Sequence, residues 1–160
     1  MYNILLSLSR NKFFYEKIKL EDSFETRIYL MFFHFSILMI IFKKKGKKLS
    51  QEMYDLLFNN IENNLRELGF GDVSVNKKMK DMNKILYDIL LKIEKNDNED
   101  IFEINQILIF KYFPKLDNEN SKEFTLFSSY FINFFNFCFE LSLESMIRDC
   151  INFKNNYGCP

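Results

Sequence analysis

The sequence has no tryptophan and no alanine, only four glycines and two prolines, and a single histidine. No proline falls between residues 1 and 113, so long helices can run there without a missing N–H donor. The three cysteines, Cys138, Cys150 and Cys159, show no Cys-x-x-Cys spacing and no even count, which argues for free thiols in a reducing compartment rather than disulfides or a zinc site. Charge of one sign is also lacking: 22 basic against 22 acidic residues leave a formal charge of zero, so no bulk field points to nucleic acid. The first 13 residues have neither a basic leader nor a small-residue cleavage site, and the expectation is no signal peptide. Catalytic signatures are missing as well. There is no Gly-x-Ser-x-Gly, phosphate loop, dinucleotide fingerprint or His-Glu-x-x-His, so the chain reads as non-enzymatic and without a cofactor or metal.

What is present is phenylalanine, 20 of 160 residues, beside abundant Ile, Asn and Lys. With no Ala, that bias resembles AT-rich coding, and single Phe residues are not read as sites. A chain of this length forms one domain with a real core. Residues 1–151 are expected to form an all-α, irregular bundle of about five to seven helices, with residues 152–160 as a frayed tail. No segment alternates well enough for a sheet.

The organising stretch is Leu65–Lys80, Leu-Arg-Glu-Leu-Gly-Phe-Gly-Asp-Val-Ser-Val-Asn-Lys-Lys-Met-Lys. Leu65 and Leu68 close an apolar stripe that begins after Ser50 and includes Met53, Leu57 and Ile61, while Arg66 and Glu67 face outward. Gly69 stands where a left-handed residue ends a helix. Gly71-Asp72 reads as a second turn, with Val73 and Val75 in a short extended link. Asp72 or Asn76 then caps a helix opening on Lys77-Lys78. Met79, Met82, Leu86, Ile89 and Ile93 repeat the helical spacing. An αα-hairpin over residues 50–95 follows.

The remaining boundaries come from caps. Residues 4–18 read as a helix that breaks near Arg10-Asn11. Asp22-x-x-Glu25 and Asp100-x-x-Glu103 both read as capping boxes. The lysines of residues 43–48, with Gly46 among them, end the helix that begins at Asp22. A last helix is expected from about residue 123 to 148, bearing one polar stripe of Ser129, Asn133, Asn136, Glu140 and Glu144. Its wide apolar remainder suits either a central core helix, the favoured reading, or a hydrophobic partner. Residues 28–42 are apolar except for His34 and Ser36 and span about 22 Å, short of the ~30 Å of a bilayer core. The favoured reading is a buried central helix; a membrane-dipping segment is the minority one. His34 shares a helical face with Arg27 and, with no second ligand type nearby, reads as a hydrogen-bonded core residue. The lysine clusters of residues 43–48 and 77–84 lie at opposite ends of one helix, which disfavours a single nucleic-acid groove. Anionic lipid or ribosomal RNA is their functional option.

Residues 65–80 also resemble the signature of the ubiquinol–cytochrome c chaperone family, the assembly chaperones of cytochrome b. Upstream segments match in order: Arg10 to Tyr15 is similar to the family's Arg…Phe-Tyr, Asp22 to Arg27 to its Asp-Thr-Phe-x-x-Arg, and Phe33-His34-Phe35 to its Leu-His-Leu. The resemblance covers roughly residues 10–93. It departs where Asn76 replaces a Gly or Pro, and where Asp88 follows Tyr87 in place of a Gly. The resemblance implies an all-α chaperone that holds newly made cytochrome b and assists assembly of ubiquinol–cytochrome c reductase, respiratory complex III. It also implies partner contacts at Arg27, His34, Arg66, Glu67, Asp72, Lys77 and Lys78, with Gly69 and Gly71 shaping the turn. A small co-chaperone or the ribosome exit region are further expected partners. The expected place is the cytoplasm, peripheral to the inner face of the inner membrane, or the matrix side if mitochondrial. The alternatives are a lipid- or quinone-binding helical protein with an apolar cavity, and a peripheral membrane scaffold.

Overall fold

The computed structural model describes residues 1–96 and 101–157. Eight α-helices form among them: α1 (Tyr2–Ser9), α2 (Phe24–Lys44), α3 (Gln51–Glu67), α4 (Asp72–Lys92), α5 (Gln106–Tyr112), α6 (Lys122–Glu140), α7 (Leu143–Asp149) and α8 (Asn152–Tyr157). A π-helical turn (Phe13–Lys17) follows α1, and a 3-10 turn (Pro114–Leu116) follows α5. No strand occurs among the described residues; the only strand-like pairing there is an isolated antiparallel bridge between Glu94 and Ile104.

The centre of the core is α2. It meets α1, α4 and α6, and nine consecutive positions, residues 30–38, are buried. A helix that is apolar all round must be enclosed on all sides, and α2 is. At 21 residues it is long and apolar enough, by length and composition, to cross a membrane, longer than the fifteen-residue apolar run within it. Here its faces are covered by protein: Leu30, Phe33, Ile37 and Ile41 are fully buried. The apolar arc of α6 is likewise spent on the core, with Phe127, Tyr130, Phe131 and Phe134 at zero exposure. Asn133, Asn136, Glu140 and Glu144 of the expected polar stripe are exposed, and Ser129 is half-buried. Phe33 and Phe131 join α2 to α6 with ring centroids 5.4 Å apart.

Several boundaries differ from the sequence reading, each for a local reason. Ser23, not Asp22, caps α2: its hydroxyl accepts from the Thr26 N–H at 3.2 Å. Asp22 is drawn instead to Arg27, whose Nε and Nη2 both lie 2.7 Å from Oδ1. The expected long last helix breaks at Leu141, which is extended, and Ser142 restarts the chain as α7 by accepting from the Ser145 N–H. The helix count therefore exceeds the expected range. Nor does the chain fray directly after residue 151, since α8 forms and Phe153 is buried; residues 158–160 lie outside the described part. The box at Asp100-x-x-Glu103 falls partly on Asp100, outside the described residues. Glu103 belongs to the extended link that accepts from the Lys95 N–H at 2.7 Å, and α5 is capped by Asn105.

The lysines after α2 are only partly solvated. Lys44 pairs with Glu94 at 2.8 Å, both side chains mostly buried. Lys45 donates to the Leu141 carbonyl at 2.7 Å, satisfying the acceptor left open by the α6–α7 break. Gly46 has φ +73° and closes the helix as expected, with Lys47 N–H on the Phe42 carbonyl.

Candidate interaction site

The hairpin corner is built by two hydrogen bonds and one glycine. Leu68 is the C-cap of α3, and Gly69 follows at φ +92°. The Gly69 N–H reaches the Arg66 carbonyl at 3.0 Å, and the Phe70 N–H reaches the Leu65 carbonyl at 3.2 Å. That pair of bonds is the Schellman closure. Gly71 has an ordinary φ of −74° and serves as the N-cap of α4, which therefore opens at Asp72. Neither Asp72 nor Asn76 caps, and there is no extended link: Val73 and Val75 are both helical. Val75 is fully buried while Val73 is 86% exposed.

This geometry gathers the expected partner residues of the corner. Arg66 bridges the two helices, with Nη2 2.8 Å from Glu62 and Nη1 bonded to Asp72. Each charge also suits its place, Arg66 at the C-terminus of α3 and Asp72 at the N-terminus of α4. Hydrogen bonds to Asp72 and Glu62 raise the Arg66 pKa further. Glu67, Lys77 and Lys78 stand on the same corner, the first two exposed. The Lys78 ammonium lies 4.7 Å above the Phe70 ring.

Sequence reading missed the apolar part of this surface. Leu68, expected to close the stripe of α3, is 60% exposed, and Phe70 is 38% exposed. With Val73 they place three large apolar side chains in solvent within six positions of the chain, ringed by charge. The cue was available: residues flanking a glycine corner leave the helical period, so Leu68 and Phe70 lose the buried face.

The other two expected contacts go elsewhere. His34 is fully buried. Its Nδ1 lies 2.6 Å from the Leu30 carbonyl, which can only accept, so Nδ1 carries the proton and Nε2 accepts from the Tyr130 hydroxyl at 2.9 Å. Burial pushes its pKa down to about 4, although the Leu30 carbonyl works in the opposite direction. Both ring nitrogens are occupied, so His34 acts as a neutral tie between α2 and α6. Among the described residues no group of His, Cys, Asp or Glu could hold a metal ion. Arg27 lies at the far end of the same helix, in a cleft of about 290 Å³ lined also by Arg10, Lys12, Tyr15, Glu16 and Asp22. Tyr2 joins cleft and corner. Its hydroxyl bonds Asn64 of α3, and the phenol, its pKa raised chiefly by burial, feels both Arg10 and Glu67.

Known proteins decide the lineage. The family model of the ubiquinol-cytochrome C chaperone matches residues 16–148. This chain belongs to that family. The match runs from the π-helical turn through α7, well past the resemblance legible over residues 10–93, and so takes in the whole α2–α6 core as well as the corner. Arg10 to Tyr15 lies outside it. Neither a curated protein nor a solved structure matches the chain.

Proposed function

We propose that this protein is a non-catalytic assembly chaperone that binds newly made cytochrome b and assists biogenesis of ubiquinol–cytochrome c reductase, respiratory complex III. The observation that carries the reading is membership of the ubiquinol-cytochrome C chaperone family over residues 16–148. The corner supplies a physical means. A client rich in apolar helices is held best by exposed apolar side chains with charges that orient it, and Leu68, Phe70 and Val73 stand beside Arg66, Glu67, Asp72, Lys77 and Lys78. Such a client places the chaperone against the inner face of the inner membrane, on the cytoplasmic or matrix side, with a small co-chaperone or the ribosome exit region as neighbours. His34 contributes through the core rather than by contact.

The test is capture of cytochrome b by tagged protein, paired with a thermal melt of each variant. Phe70→Ser and Lys77→Ala should weaken capture while the melting midpoint stays nearly constant, since exposed substitutions change stability by about 0.5 kcal/mol or less. Undiminished capture by both variants would remove the corner from the client interface. Absence of cytochrome b from the wild-type eluate would remove the client itself.

A further inference from the structure

The cleft at Arg27 has a construction that the chaperone reading does not use. Its floor is the π-helical turn, in which the Ile18 N–H bonds the Phe13 carbonyl at 3.1 Å instead of the residue one turn nearer. Lys19 follows at φ +62°, a left-handed conformation that a residue with a Cβ adopts only at a cost. The Leu20 N–H on the Phe14 carbonyl at 3.0 Å holds it there. Phe13 stacks on Tyr130 at 5.4 Å, and Phe14 meets the same ring at 4.7 Å, so the turn is anchored in the core. Wide turns and left-handed strain recur where a chain must present side chains to a ligand.

The side chains presented are cationic. Arg27 is oriented by Asp22, which accepts from its Nε and Nη2, and its side chain also hydrogen-bonds Tyr15 on the cleft wall. Arg10 and Lys12 are exposed and form no ion pair among the described residues. Tyr15 donates its proton to the Ser9 carbonyl at 2.6 Å, and burial pushes its pKa up to about 12, so this wall stays neutral. Glu16 is the one lining carboxylate not already neutralised by an arginine. Three cations, Arg10 and Lys12 from the segment after α1 and Arg27 from α2, thus line one cleft of about 290 Å³, beside the carboxylates of Glu16 and Asp22. A tetrahedral oxyanion can accept from all three at once.

We infer that this cleft binds a phosphate group, free or in the headgroup of an anionic lipid, with Arg10, Lys12 and Arg27 as its donors. The inference does not depend on the chaperone reading, and two of its three donors lie outside the family match.

The full-length protein is titrated calorimetrically with inorganic phosphate, and separately sedimented with phosphatidylcholine vesicles with and without phosphatidylglycerol. The Arg10→Gln/Lys12→Gln pair should weaken binding by about tenfold, the loss expected for two charge-assisted contacts partly screened by water. Glu16→Gln should tighten it, a gain that misfolding cannot imitate. Lys47→Gln/Lys48→Gln, exposed lysines beyond α2, should change nothing. A phosphate isotherm with this pattern supports a soluble phosphate ligand. Sedimentation that needs phosphatidylglycerol and follows the same variant pattern supports a lipid headgroup. No response to either probe, or equal losses from the Lys47/Lys48 pair, overturns the site.

Discussion

The tie between His34 and Tyr130 makes a quantitative claim about acid stability. His34 is enclosed by Phe131 and Phe134, with ring centroids 4.9 and 4.8 Å away, and its two nitrogens are satisfied only in the neutral form. Protonation would put a second donor against the Tyr130 hydroxyl and a charge among aromatic rings. Hence the folded pKa falls to about 4 from 6.5. Above 6.5 both folded and unfolded chains hold a neutral imidazole and nothing is lost. Below it the unfolded chain takes up a proton that the fold refuses, so stability falls as pH drops from about 6.5 to 4. Integrating these two values gives a loss of about 2 kcal/mol between pH 7.5 and pH 5, or roughly 4–8 °C in Tm for a chain of this size. The comparison variant is His34→Phe/Tyr130→Phe, which removes both partners and leaves no orphaned donor. Urea denaturation across that pH range should show the wild type losing stability and the double variant losing about 2 kcal/mol less. Parallel pH profiles would mean that His34 titrates alike in both states, and the buried neutral tie would be wrong.

Two further outcomes concern the hairpin. Gly69→Val should cost about 1–3 kcal/mol, all of it backbone strain at φ +92°, because an added Cβ meets nothing within 4 Å. Gly71→Ala, at an ordinary φ and equally open, should change the unfolding free energy by no more than about 1 kcal/mol, which a paired urea denaturation series will read. Asp88 is the second. It accepts from Lys111 at 2.6 Å and Tyr112 at 2.5 Å and pairs with Lys92, clasping α4 to α5. Burial alone would raise its pKa, yet these three donors hold it well below the usual carboxylate range. Asp88→Asn should therefore lose about 1–2 kcal/mol at neutral pH. Because the folded pKa lies below the unfolded one, the stabilisation is present above about pH 4 and fades as pH falls further, and the gap between the two proteins should close there.

The helical spacing of α3 and α4 and the glycine that ends α3 were legible because each is a local property of the chain. So was the burial of His34, a lone histidine in an apolar helix with no second ligand type beside it, although the family resemblance also offered it as a partner contact. Boundaries decided by competition were not. Asp22 and Ser23 are both good caps, and only the presence of Arg27 one turn on diverts Asp22. The break at Leu141 carries no glycine or proline, and its stabilising partners, Lys45 and the Ser142 cap, are remote or weak in sequence. Val73 and Val75 suggested an extended link by their branching, but one turn of helix places Val75 in the core, and that burial outweighs a propensity difference of a few tenths of a kcal/mol. Asp88, a departure from the family pattern, turned out to be the clasp between α4 and α5. The segments Arg10 to Tyr15 and Asp22 to Arg27 were singled out separately, but their meeting in one cleft was not legible, because the π-helical turn between them is announced by no periodicity.

The central claim is a chaperone for complex III, and it is tested most directly in cells from which the protein has been removed. Assembled ubiquinol–cytochrome c reductase, measured by native electrophoresis together with cytochrome b haem absorbance, should fall while transcripts of its subunits stay constant. Re-expression of the wild type should restore both signals, and re-expression of Leu68→Ser/Phe70→Ser/Val73→Ser should not. Normal complex abundance and normal haem absorbance in cells lacking the protein would contradict the account.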